Sequence, residues 1–310
     1  MGNIPKLSVH TDNQKTIWAV GGGKGGTGKS FFTANLGLSL SQMGEEVILI
    51  DADLGGPNLH TFLGLKKTQV DLGHFISNKV PELKDALVPT PYNNLQLIKG
   101  TDNLLFTANL NYYKKMKLLR HINAFKNKRV IMDIGTGSSY NYVDFFILSN
   151  PGLLVINPEP TSIENAYYFL KSCVIRMLKL YIRHYKIQEL DDKIALQIKS
   201  NSKSIYNFLN EIISHDQYYA DLLYKALTQF RPCLVINQAR DESDFYLGDS
   251  IAKVVKKYLV IDMNYLGAIP YDEKIHGSIK NMVPFFHEYR DTPAGQSLED
   301  IAGKLIEDGK

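Results

Sequence analysis

At 310 residues, 44% of them apolar and 22% charged, the chain has the composition of a globular protein that can bury a large core, as one large α/β domain or two smaller ones. A net charge of +3, from 35 Lys plus Arg against 32 Asp plus Glu, is too small to argue for nucleic-acid binding by itself, and no apolar run reaches the ~18 residues of a membrane-spanning helix. Two cysteines, Cys173 and Cys233, lie far apart without any C-x-x-C, which indicates neither a metal site nor a disulfide framework and fits a reducing cytoplasm.

Residues 1–15 have no basic stretch followed by an apolar one, so they read as a flexible lead-in and not as a secretory signal. The β-like run Thr16-Ile17-Trp18-Ala19-Val20 comes next. It leads into Gly23, Lys24, Gly25, Gly26, Thr27, Gly28, Lys29 and Ser30, which fit G-x-x-x-x-G-K-[ST], and a helical pattern opens at Phe31 and ends at Met43-Gly44. Strand, loop and helix in that order place backbone N–H groups and a helix N-terminus against an anion. Lys29 can set a point charge near the β- and γ-phosphates of a nucleotide, and Ser30 can offer its hydroxyl to Mg²⁺.

Val47 to Ile50 is a continuous apolar run suited to a buried parallel strand, and it delivers Asp51 and Asp53 to the edge of the sheet where open α/β folds bind ligands. Two carboxylates so placed can approach a Mg²⁺–phosphate site, one through the metal's waters and one toward the attacking water. Asp71 to Val88 reads as a short helical passage closed by Pro89-Thr90-Pro91, Leu95 to Ile98 as a strand, and Leu104 to Phe125 as a helix with Tyr112, Met116, Leu119 and Ile122 toward the core. Between Leu110 and Arg129 lie seven Lys or Arg and no acid, a face for DNA, anionic membrane or acidic protein if it is not simply solvated. Val130-Ile131-Met132 then runs into Asp133, a second acid for Mg²⁺, and into Gly135-Thr136-Gly137, where a backbone N–H can sense a γ-phosphate.

Leu153 to Asn157 is another buried strand, and Thr161 with Glu164 suggests a capping box at the start of the next helix. Helical patterns follow at Tyr181 to Ile187, Ser204 to Ile213 and Gln217 to Phe230, and from Ala166 to Lys203 eight Lys or Arg stand against three acids. Cys233 to Asn237 returns to strand. Leu298, Ile301, Ala302, Leu305 and Ile306 mark a C-terminal amphipathic helix whose mixed polar side suits core packing better than a membrane.

Several stretches resemble the MinD/ParA family of ATPases: the K-G-G-T-G-K-S loop with its second lysine, Ile48 to Leu65, the phrase PEPTSIENAY, and Leu266 to Asp272. The flavour is nearest to FlhG and MinD. The resemblance implies a P-loop NTPase with a doubly wound, mainly parallel α/β sheet and helices on both faces, formed by residues 16–310. A helical insertion at about 181–232 is longer than the short connection usual in the family and is a candidate surface for an unidentified protein partner.

The same resemblance implies ATP and Mg²⁺ as ligands, Lys24 reaching across a homodimer to the partner's nucleotide, Asp53 positioning water with Asp51 in support, and Asn237, Pro270 and Tyr271 around the adenine. Such a protein is an ATP-dependent dimerisation switch with slow hydrolysis, cytoplasmic, at times peripheral to membrane or nucleoid, regulating a cell-surface or flagellum-like structure in space. The alternatives are a ParA-type partition ATPase on nonspecific DNA and a nucleotide-gated adaptor with negligible turnover. A tyrosine autokinase fits less well, because Leu54-Gly55-Gly56 stands where that family usually has an arginine and only Tyr289 follows Tyr271. An iron–sulfur carrier of the Mrp type would want C-x-x-C.

Overall fold

The apolar runs become the strands of one eight-stranded sheet. In the computed structural model, which describes residues 17–53, 56–65, 69–101, 110, 112–187, 205–213 and 217–307, the strands are β1 (Ile17–Gly22), β2 (Val47–Ala52), β3 (Val88–Pro89), β4 (Leu95–Ile98), β5 (Arg129–Thr136), β6 (Gly152–Ile156), β7 (Cys233–Ala239) and β8 (Asn264–Pro270). Their order is β3-β4-β2-β5-β1-β6-β7-β8, parallel throughout except for the β3–β4 pair. The lead-in at 1–15 lies outside the described residues.

Strands buried on both faces need apolar side chains on both, which is why β2, β5, β6 and β7 read as unbroken apolar runs. One face is covered by α1 (Lys29–Gln42), α11 (Phe285–Glu288) and α12 (Pro293–Glu307), with Trp18, Phe32, Leu36, Leu49 and Leu298 among its core. Lying between the sheet and α12, α1 is buried on nearly all sides, and its sequence FFTANLGLSLS is correspondingly small or apolar all round. As its sequence predicts, α12 turns Leu298, Ile301, Ala302 and Leu305 inward.

The other face carries α3 (Leu72–Ile76), α4 (Tyr112–Ile122), α5 (Tyr140–Leu148), α6 (Pro160–His184), α7 (Ile205–Ile213), α8 (Gln217–Gln229) and α9 (Glu242–Leu259); the short α2 (Leu59–Phe62) follows β2, and α10 (Lys274–Lys280) follows β8. No helix among the described residues is long and apolar enough to cross a membrane.

Three local expectations change. Tyr181 to Ile187 is no separate helix: α6 runs unbroken from Pro160 to His184 and ends just before Lys186, whose φ is 57°. That helix also begins one residue before Thr161, with Glu159 in the N-cap position and no side-chain cap, because Pro160 is already set for the first helical residue. Pro89 closes nothing; with Val88 it forms the antiparallel edge strand, a place where a missing N–H costs little.

At least four of the seven basic residues in the stretch 110–129 are engaged within the protein. Lys115 is buried against Asp144 at 2.5 Å, Lys117 reaches Asn78 at 2.7 Å from above the Phe75 ring, Lys128 pairs with Glu46 at 3.2 Å, and Arg129 pairs with Glu45 at 3.0 Å over Trp18. What reads as a basic face is mostly a set of ties between helices and strand ends. Where the sequence places a helix over Leu104 to Phe125, the described part is α4; residues 102–109 and 111 lie outside.

Candidate functional site

All the acids and loops singled out by sequence arrive at one place, the C-terminal edge of the sheet. Register puts Val20 beside Asp133 and Asp133 beside Asp51, so the end of β1 that launches the glycine loop is flanked directly by the acids of β5 and then β2. The loop's Lys29 is almost fully buried, and its Nζ makes only a long 3.5 Å contact to the Lys24 carbonyl within the same loop. Burial pulls its pKa down, against the opposing attraction of Asp133 and Asp53.

Asp133 is the opposite case. Burial raises its carboxyl to about 7, even though the Ser30 hydroxyl and the Lys29 charge both favour ionisation, and neither of its oxygens makes a hydrogen bond of good geometry. Asp51 is pushed well above the usual carboxylate range, by burial first and then by the charge of Asp133. Its oxygens also hold the segment that follows β2. Oδ1 accepts from the Asp53 N–H at 3.2 Å and Oδ2 from the Leu59 N–H at 2.9 Å, so Asp51 anchors the turn after β2, each oxygen keeping a second lone pair.

An ATP–Mg²⁺ group fits this edge. Asp133 has two sealed oxygens without hydrogen bonds of good geometry, Thr27 Oγ1 is buried without a partner, and Lys29 is buried within reach of the Asp133 and Asp53 charges. Among the described residues no three His, Cys, Asp or Glu side chains form a metal cage, and Mg²⁺ usually takes only one or two protein ligands beside phosphate and water. Ser30 and Asp133 are that kind of pair. Phe31 contributes at most its backbone, since its ring is buried against Phe285 with centroids 5.8 Å apart.

Lys24 points the other way along the sheet edge. Its ammonium donates to Glu159 Oε2 at 3.0 Å and to Thr161 Oγ1 at 2.9 Å, so the first turn of α6 holds it within its own chain. The loop and α6 also touch through backbone: a Cβ on Gly23 would lie 2.0 Å from the Asn165 carbonyl oxygen, and only glycine allows that approach. Glu159 and Thr161 were not foreseen as partners of Lys24. The phrase PEPTS that contains them was the available signal, read there as a helix start.

At the far end of the edge, Asn237 is buried and donates to the Thr27 carbonyl at 2.9 Å, tying β7 to the glycine loop, while its Oδ1 lacks a partner. Gln238, at φ 62°, follows within an irregular stretch of the β7–β8 ladder. Beyond it the Arg240 guanidinium stacks over the Tyr271 ring at 3.9 Å, beside Pro270. Arg240 was missed because nothing in its sequence spacing marks it; the irregular strand end brings it there. Gly135 lies at the centre of the edge, with Asp53 and the Tyr142 ring packed over its α-carbon.

Over 285 residues the chain is 30% identical to the putative septum site-determining protein MinD of Nephroselmis olivacea, an alignment covering 92% of this chain and 84% of the relative. The chain belongs to the MinD/ParA family of P-loop NTPases. It is also 24% identical over 294 residues to the antiactivator FleN of Pseudomonas aeruginosa, covering 93% and 85% of the two chains. The ParA family profile, described as NUBPL iron-transfer P-loop NTPase, matches residues 13–105. Among solved structures, Pyrococcus horikoshii MinD complexed with Mg-ADP superposes with a TM-score of 0.64 at 19% identity, covering 96% of this chain and 99% of that one. MinD/ParA proteins are generally ATPases, and the fold and loop are theirs.

Proposed function

We propose that this protein is an ATP-driven dimerisation switch whose slow hydrolysis times its hold on a partner or surface. The single observation that carries the reading is the pair of lysines in one loop with opposite surroundings. Lys29 is buried next to Asp133, placed to hold phosphates within the chain, whereas Lys24 is only loosely held at the surface by Glu159 and Thr161. A half-exposed ion pair of this sort is worth ~0–1 kcal/mol, so giving it up for the phosphates of a second copy costs little. Bound Mg²⁺ would neutralise developing charge on the β- and γ-phosphates, held by Ser30 and Asp133.

Asp53 orients the attacking water, and Asp51 fixes the turn that presents Asp53. The N–H groups of the glycine loop wrap the phosphates, and the Gly135 N–H senses the last of them. Asn237 stiffens the loop from β7, and Pro270 and Tyr271 with Arg240 bound the adenine end. The helices α7 and α8, together with the last turn of α6, form the partner-facing addition at about 181–232. The likeness to FleN, an antiactivator, supports a regulatory output at a flagellum-like structure. The match to an iron-transfer profile covers only the nucleotide-binding third, and both cysteines of this chain are buried, so metal carriage is not adopted.

Light scattering with ADP and with ATP, on wild type, Lys24→Ala and Asp53→Ala, tests the reading. ATP moves wild type to dimer, Asp53→Ala accumulates dimer because turnover stops, and Lys24→Ala stays monomeric. A fixed oligomer that ignores nucleotide and both substitutions overturns it.

A further inference from the structure

Tyr142 occupies a position that neither motif nor family likeness assigns. It is the third residue of α5, and the turn that carries it is fixed by Ser139, whose hydroxyl at the N-cap accepts from the Tyr142 N–H at 3.5 Å. So fixed, the half-buried side chain folds back over the end of β5. A Cβ added to Gly135 would lie 2.3 Å from the Tyr142 hydroxyl, 2.3 Å from Cζ of its ring, and 2.7 Å from Asp53 Oδ1. The phenol and the carboxylate thus meet over one glycine, each within 2.7 Å of the same point. Asp53 belongs to the segment after β2 and Tyr142 to the segment after β5, the two loops whose shapes answer to a γ-phosphate in P-loop proteins.

We propose that Tyr142 is a positioning residue for hydrolysis: its O–H donates to Asp53 Oδ1 and holds the carboxylate that orients the attacking water. A carboxylate held by one donor loses rotational freedom, and orientation of this kind is where most of the protein's contribution to phosphoryl transfer lies. The contact also joins the two switch segments before any nucleotide arrives, so closing on ATP adjusts a pairing that already exists. Gly135 follows from the same geometry, since any side chain there would part the phenol from the acid. This inference rests on Asp53 being the residue that positions water.

The test is single-turnover hydrolysis of Mg²⁺–ATP by the full chain as wild type, Tyr142→Phe and Asp53→Ala, with ATP affinity and ATP-induced dimer measured alongside. Tyr142→Phe keeps the ring over Gly135 and so keeps the packing, which its melting temperature checks. We expect hydrolysis to slow by roughly ten- to a hundredfold, the size of one hydrogen bond to a charged group, with affinity and dimer fraction unchanged. Hydrolysis by Tyr142→Phe at the wild-type rate while Asp53→Ala is inactive overturns the role of Tyr142. A slowing matched by an equal loss of ATP affinity overturns it too, because the phenol would then serve binding alone. Wild-type hydrolysis by Asp53→Ala instead removes the reading beneath both.

Discussion

Asp144 and Asp133 are both carboxylates sealed inside this protein, and their surroundings are opposite. Asp144, on α5, takes a 2.5 Å contact from Lys115 of α4 and 2.7 and 3.2 Å contacts from Arg176 of α6, so three helices close around a fully answered charge. Asp133, at the end of β5, has both oxygens out of water and without hydrogen bonds of good geometry, and Thr27, Asn157 and Asn237 each leave a buried atom unmatched on the same sheet edge. Native proteins rarely leave such groups bare, and where several cluster they mark the place of a missing ligand. The Asp144 cluster is therefore complete in itself, whereas the sheet edge keeps polar groups that a ligand can answer.

The largest expected effect tests the first half of that contrast. Asp144→Ala strands Lys115 with a side chain only 10% exposed, along with part of the hold on Arg176. Breaking a buried pair by deleting one partner costs about 3–5 kcal/mol, so urea unfolding should show a loss of that order while ADP affinity moves by less than about threefold. A loss below ~1 kcal/mol would mean that the triad is no more than a surface contact.

Much of this contrast is legible in the sequence, but unevenly. The glycine loop, Asp53 and Asp133 can be placed from spacing alone because strand, loop and helix follow each other locally and the chemistry needs those residue types in that order. The sheet follows from apolar runs in the same way. Lys115 could not be picked from its six basic neighbours in 110–129, since its burial depends on Asp144, which is distant in sequence and unremarkable in its helix. Glu159, Thr161, Arg240 and Tyr142 were hidden for a related reason: each sits at a helix start or an irregular strand end, and the partner it meets is distant in sequence and adjacent only once the fold is formed. Asp51 shows the converse, a motif acid that also accepts the backbone N–H groups of Asp53 and Leu59, a structural task its spacing does not announce.

A smaller effect sharpens the second half. With an ordinary value near 3.8 and a folded value of about 7, Asp133 carries a proton in the native protein that the unfolded chain has already shed between those pH values. The native state then binds more protons than the unfolded one, so the stability of the nucleotide-free protein should fall as pH rises from about 4 to 7 and level off above that. Asp51, raised in the same direction, adds to the slope. Asp133→Asn should flatten the profile in part and raise the melting temperature at pH 8 by about 2–4 °C. An unchanged pH profile in that variant would place the proton elsewhere on the edge.

The smallest effect concerns Lys24, a charge of the edge that has an ion-pair partner within its own chain. Lys24 and Glu159 have side chains 38% and 56% exposed, and an ion pair so open to water gives ~0–1 kcal/mol, further reduced by salt. Glu159→Gln keeps an acceptor for the ammonium and removes the opposing charge, leaving Thr161 Oγ1 in place. If the pair only parks Lys24 until a second copy offers phosphates, freeing it should tighten ATP-induced dimerisation by no more than about fivefold, and the gain should shrink as salt is raised. A weaker dimer after Glu159→Gln would show that this carboxylate belongs to the assembled interface and not merely to the resting chain. The contrast between answered and unanswered charges would then extend across two copies, with Glu159 joining Lys24 among the groups whose true partner lies outside the single chain.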